Sequence, residues 1–154
     1  MSPSLREEFE SHNRLLVGGE RPLTPEELAV WSRGRDLLVQ RALARQQPVE
    51  GSRRRRHPRA RARLSAHLAG CGSAFTDDVG FGGLSLRTTR RAALRRGDDA
   101  YVKLKWAQRS IFLEGQVAWI DGARIGLAIT RIHPEDEHAL QAVVCAGLSS
   151  AWES

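Results

Sequence analysis

The chain is poor in the residues that would commit it to several functional classes. Only two of its 154 residues are cysteines, Cys71 and Cys145, far apart and outside any CxxC spacing. That leaves neither a zinc site nor a disulfide framework, and a reducing cytoplasm is the default compartment. No apolar run approaches the roughly 20 residues of a membrane-spanning helix. The opening MSPSLREEFE holds acids where a signal peptide would be apolar. A soluble, cytoplasmic protein without membrane insertion is the expectation. Catalytic signatures are also missing: no nucleophile elbow, no HExxH, no phosphate-binding loop and no acid/base pair. His133 and His138, five residues apart, fall off a common helical face, so no metal pair is expected. The chain reads as a receptor and not an enzyme, with no cofactor and no metal.

What it has in excess is arginine. The formal net charge is +6, and much of the excess lies in RRRRHPRARARL, residues 53–64. A polyanion-coating protein would spread its basic residues over a face. A nucleic-acid grip would show steep salt dependence, and here no aromatics interleave the arginines. Nucleic acid is therefore the least favoured partner.

The hydrophobic period divides the chain. Residues 1–46 form a helical extension, with a shorter helix over 4–16 ended by Gly18-Gly19. In LTPEEL, Thr24 is an N-cap, Pro25 takes the first helical position, Glu27 closes a capping box, and Leu23 and Leu28 make a hydrophobic staple. Leu28, Trp31, Leu38 and Ala42 then recur at helical spacing, a stripe that the barrel or a second subunit must cover. A homodimer through these helices is one way to do so. Gly34 weakens this helix locally without forbidding it. Residues 47–58 read as a linker carrying the arginine motif.

Beyond the linker the period becomes two. Arg59, Arg61, Arg63, Ser65 and His67 alternate with Ala60, Ala62, Leu64, Ala66 and Leu68, which predicts one half-buried strand over 59–68. Further strands are expected at 82–88, 100–106, 110–120 and 124–132, several joined by Gly-Asp or Asp-Gly loops. Trp106 and Trp119 fall at inward positions and read as core, while Asp77 reads as the start of a turn. Gly80, Gly82 and Gly83 would suit a tight hairpin with or without a ligand. Phe81, at that turn, is the one aromatic whose exposure would need explaining. HPEDEHALQAVV (133–144) opens a helix, with Pro134 first and acids matching the macrodipole. Residues 59–154 thus form a small antiparallel barrel or curled sheet closed by one helix.

Taken in order, the arginine-rich turn, DDVGFGGLSL (77–86), LEGQVAWID and IGLAITRIHPEDEHAL resemble a PilZ domain over roughly residues 53–145. The resemblance implies a mainly β fold, a six-stranded antiparallel barrel with a C-terminal helix, in many members binding cyclic di-GMP. The family motifs are RxxxR before the first strand and D/N-x-S-x-x-G after it. RxxxR fits Arg55 to Arg59; a second frame, Arg59 to Arg63, lies inside the predicted strand. Asp78 and Gly83 match the second motif, and Gly80 replaces its serine. The implied ligand-binding set is Arg54, Arg55, Arg59, Asp78, Gly80 and Gly83. Arg53 reads as solvated charge.

Chemistry suits these residue types. Arginine can bind a guanine edge or a phosphate bidentately and can stack on the base. Asp78 can accept from guanine N1 and N2, and the glycines let backbone approach a ligand. A serine at 80 would add one hydrogen bond, up to about tenfold in affinity, if it can share the glycine's backbone conformation. Two functions follow from the resemblance. One is a bacterial cyclic di-GMP effector coupling messenger level to a protein partner, for example in motility or exopolysaccharide control. The other is a PilZ-like interaction adaptor that no longer binds the nucleotide.

Overall fold

The computed structural model describes residues 4–45, 57–90 and 93–153. Three helices, α1 (Leu5–Gly18), α2 (Pro25–Ala44) and α3 (Pro134–Gly147), accompany seven strand segments. These are β1 (Arg59–Arg61), β2 (Ser65–Leu68), β3 (Gly72–Gly80), β4 (Gly83–Thr88), β5 (Asp99–Trp106), β6 (Arg109–Asp121) and β7 (Arg124–Ile132). A 3-10 turn at Ser149–Glu153 follows α3.

All pairings are antiparallel. The order β3-β2-β5-β6-β7-β4 closes through β3–β4, which makes a six-stranded barrel, and β1 adds to the far end of β3. The single strand expected over 59–68 is therefore two segments, both lying along β3: β2 opposite Gly72–Phe75 and β1 opposite Asp78–Gly80. Between them the Thr76 hydroxyl accepts from Leu64 N–H and donates to Ala62 C=O, which satisfies backbone groups that a ladder would otherwise hold. Burial nonetheless alternates across the break, with Ala60, Leu64, Ala66 and Leu68 all inside. The period was real, but it did not require continuous pairing.

β3 itself had no counterpart in the strand reading. Its inward residues include Ala74 and the buried polar Thr76, and a register shift between Thr76 and Asp78 then breaks the period. Such bulges insert one residue and reverse parity. Asp77 accordingly lies within β3 and not at a turn. The β6–β7 ladder shifts register twice, and the shift between Val117 and Trp119 carries Trp119 to the outside, where it is 37% exposed. Trp119 covers Gly126 of β7, where a β-carbon would stand 2.0 Å from the indole Nε1. Trp106 is half-buried; its Nε1 donates to Val17 C=O at 2.9 Å and ties β5 to the end of α1.

The capping box of α2 forms as expected: Glu27 N–H donates to Thr24 Oγ1, and Glu27 Oε1 accepts from Thr24 N–H at 2.9 Å. The Trp31 stripe is covered within the chain by α1, α3 and the 3-10 turn. Phe9, Leu16, Trp31, Leu38, Ala142, Cys145, Ala151 and Trp152 form one buried cluster. Buried Asn13 joins the three helices, its Oδ1 accepting from Trp31 Nε1 at 2.9 Å and its Nδ2 donating to Ala142 C=O at 3.0 Å. Gly34 is required where α1 crosses α2, because a β-carbon there would meet Phe9 at 2.6 Å. Near its end α3 presses on β1, with Ala60 Cβ 2.5 Å from where a β-carbon at Gly147 would stand.

Candidate functional site

The bulge in β3 has a chemical consequence: it places two adjacent carboxylates, Asp77 and Asp78, toward arginines on the outer wall. Asp78 Oδ1 accepts from Arg59 Nη1 at 3.2 Å, joining residues 19 apart in sequence. The Asp78 N–H points to the hydroxyl of fully buried Ser85 at 3.3 Å, its partner across the β3–β4 ladder. Arg59 and Asp78 are both partly exposed, so the pair is formed yet reachable.

Glycines make the floor. In register, Gly80 faces Arg59 across β1–β3. A β-carbon at Gly80 would stand 2.8 Å from Arg59 Cγ and 2.9 Å from Pro58 C=O. Gly80 has no positive φ, so serine could share its backbone conformation; what is lacking is room. At Gly83 a β-carbon would stand 2.5 Å from Leu127 C=O of β7 and 3.5 Å from Arg59 Nη2. Gly83 thus lets β4 and β7 approach, and the Arg59 guanidinium reaches across β3 toward it. His57 lies over Gly82, its Cδ2 3.0 Å from a β-carbon position there.

Of the six residues expected to bind ligand, Arg59, Asp78, Gly80 and Gly83 come together, while Arg54 and Arg55 fall outside the described residues. Phe81 is half-buried and packs against both hydrophobic clusters, which accounts for an aromatic at this turn. Neighbouring groups on the same wall were not anticipated. Asp77 Oδ2 accepts from Arg124 Nε at 3.1 Å and lies 3.5 Å from Arg87 Nη2. Arg124 lies over the Trp119 ring at 5.7 Å, and Arg63 over Phe75 at 4.6 Å. The parity reversals at the bulges account for Asp77 and Trp119 in this group; what brings the others together is the pairing of the strands. Together they offer guanidinium forks, aromatic faces and a carboxylate on one surface, a chemistry suited to a base and its phosphates.

The order of these residues along the chain matches a known family. A model of the PilZ domain fits residues 53–145. The chain belongs to the PilZ domain family. Solved structures agree at the level of the fold. The Bacillus subtilis inhibitor of motility, MotI, is 16% identical with a TM-score of 0.55 over 66% of this chain and 56% of that one. The PilZ domain of Escherichia coli YcgR with c-di-GMP is 19% identical, with a TM-score of 0.53 over 66% of this chain and 96% of that domain. A longer YcgR structure in complex with c-di-GMP gives the same identity and TM-score, and the match covers 49% of it. This PilZ chain thus spans about half the length of MotI and of the longer YcgR. No curated protein sequence matches it significantly. Among the described residues no helix is long and apolar enough to cross a membrane, and no cluster of His, Cys, Asp and Glu could hold a metal.

Proposed function

We propose that this PilZ chain is a cyclic di-GMP-binding effector, non-enzymatic and cytoplasmic, that passes the messenger signal to a protein partner. The observation that carries the reading is the Arg59–Asp78 pair set over the Gly80–Gly83 floor in family order. In this reading Arg54 and Arg55, which lie outside the described residues, add two further guanidinium groups to the nucleotide contacts of Arg59. Asp78 takes the guanine N1 and N2 donors, and the guanidinium groups take N7, O6 and phosphate. In sequence Arg54 and Arg55 stand between α2 and β1, so a ligand held by them would connect the barrel to the helical extension at 1–46. Control of motility is the process nearest to hand, through the likeness to an inhibitor of motility.

Calorimetric titration with cyclic di-GMP tests the reading, with GTP and cyclic di-AMP as competitors. Micromolar or tighter binding, poorly competed by either, is expected. Arg55→Ala and Arg59→Ala should each weaken binding by about 1.5–3 kcal/mol, more than tenfold, while Arg53→Ala does little. Equal, small losses at every arginine, fading smoothly with salt, would make the run a diffuse electrostatic patch. A second reading, an interaction adaptor without nucleotide, draws on Gly80: Pro58 and Arg59 of the chain itself fill the space of the family serine. Absence of heat far above micromolar ligand would select it.

A further inference from the structure

The helical layer does not sit flush on the barrel. Between the end of α1, the loop before α2, the start of β6 and the first turn of α3 lies a cavity of about 520 Å³, within the range of small-molecule sites. Leu16, Leu23 and Leu28 supply apolar wall from the helical side, and Pro134 supplies it from α3.

Two arginines also line the cavity, and they differ. Arg21 is held in a bidentate pair with Glu27, at 2.7 and 2.8 Å. Arg109 has no counterpart. Its Nε is buried and has no hydrogen-bond partner among the described residues, and none of the ion pairs there includes it. Its guanidinium lies beside Gly19, the left-handed C-cap of α1, with Nη1 2.8 Å from where a β-carbon there would stand. Glu135, the carboxylate on the wall, is exposed. Natural folds leave few buried donors without an acceptor, and each such group calls for an explanation.

We propose that this cavity binds a small organic anion, a carboxylate with an apolar body, its head paired with Arg109 and its body on Leu16, Leu23 and Leu28. One free guanidinium matches one negative charge and offers a planar fork to a planar carboxylate. A phosphate would bring up to two charges against that single cation, and nothing apolar to meet the leucines. The ligand would touch both the helical layer and the barrel, and so would tighten the docking of α1 and α2. The residues of this cavity are not those of the Arg59–Asp78 site.

Sodium decanoate, titrated into the full chain, tests this. Tryptophan fluorescence gives the readout, because Trp106 is bonded to Val17 beside the cavity, and melting temperature gives a second. Decanol supplies the body without the charge, and acetate the charge without the body. Decanoate should saturate below about 1 mM and raise the melting temperature, while decanol and acetate do neither. Arg109→Gln should weaken decanoate at least about tenfold, leave cyclic di-GMP titrations unchanged, and not lower the ligand-free melting temperature, since it removes an orphaned cation. Leu23→Asp, which sets a carboxylate on the wall, should abolish decanoate binding by an independent route. No saturable binding, equal binding of decanol, or affinity unchanged in both variants overturns the proposal.

Discussion

The barrel and the helical layer are both well packed, but with different side chains. Among the described residues, the buried hydrophobic residues of the barrel are all Ala, Val, Leu and Ile, with Thr76, Ser85 and Thr88 as buried polar groups among the strands. The helical core is organised around Phe9, Trp31 and Trp152, whose rings lie within 6.3 Å of one another in the contacts Phe9–Trp31 and Phe9–Trp152. Barrel diameter grows with strand number, and six strands enclose a narrow space that aliphatics fill. Three helices and a turn leave wider, irregular gaps that aromatic rings suit, provided their polar atoms find partners. Here Asn13 supplies one for Trp31. Arg35 lies over Trp31 at 5.0 Å, and Arg41 both covers Trp152 and donates to its C=O at 3.1 Å. The barrel is defined by closure of its ladder, the helical layer by a few large anchors.

The severest test removes an anchor. Trp31→Ala should destabilise the chain by about 3–5 kcal/mol, with the Asn13 carbonyl also left unpaired. Cys145 reports on it from inside the cluster, because burial pushes its thiol up to about 12 and hides it from reagents. Thiol labelling of Cys145 should accelerate in the variant, while amide exchange in β5 and β6 stays slow. Equal loss of protection in the barrel would show that the two cores are one cooperative unit and erase the distinction.

Next comes a test of closure. Gly83→Ala drives a methyl to 2.5 Å from Leu127 C=O between β4 and β7, and overpacking of this kind costs about 1–3 kcal/mol. The melting temperature should fall, and cyclic di-GMP affinity with it, because Arg59 lies over the same glycine. An unchanged melting temperature would mean that the β4–β7 seam yields easily and does not define the barrel.

Gly80→Ser should have a smaller effect, and of the opposite sign to that expected from the family motif. The backbone would accept serine, but its β-carbon meets Arg59 Cγ and Pro58 C=O. Affinity and melting temperature measured together should show no tenfold gain, with a loss near the lower end of the about 1–3 kcal/mol range. Tighter binding at constant melting temperature would show that Pro58 moves aside and that the hydroxyl is used.

The smallest effect belongs to the cap of α2. Glu27 is held down to about 2, first by the hydrogen bond from Arg21 and then by Thr24 N–H. A carboxylate lowered in the folded state stabilises fully above its ordinary value, and that contribution is lost as pH falls through the folded value. The helical layer should therefore weaken between about pH 5 and pH 2, and Glu27→Gln should flatten that dependence in melting experiments. A barrel signal that follows the same limb would again join the two cores.

Local rules account for much of what forms. Thr24, Pro25 and Glu27 start α2 where they stand, because capping involves atoms within three residues. Alternation from Arg59 to Leu68 correctly placed Ala60, Leu64, Ala66 and Leu68 inside, because side-chain parity follows the extended backbone. The motif order of Arg59, Asp78, Gly80 and Gly83 was legible for the same reason: it is linear. Three things were not. The bulges at Asp77 in β3 and beside Trp119 in β6 reversed parity without any mark in composition, since a bulge is a property of two paired strands. The gap between β1 and β2 depends on a hydroxyl at Thr76, brought there by β3. And the need for glycine at 34, 80 and 83 arises from Phe9, Pro58 and Leu127, neighbours that exist only once helices cross and the ladder closes. The helices, most of the strands and the order of the motif follow from sequence alone; β3, the break between β1 and β2, the faces the strands show and how closely they meet come from the fold, because distance in space is set by partners and not by spacing along the chain.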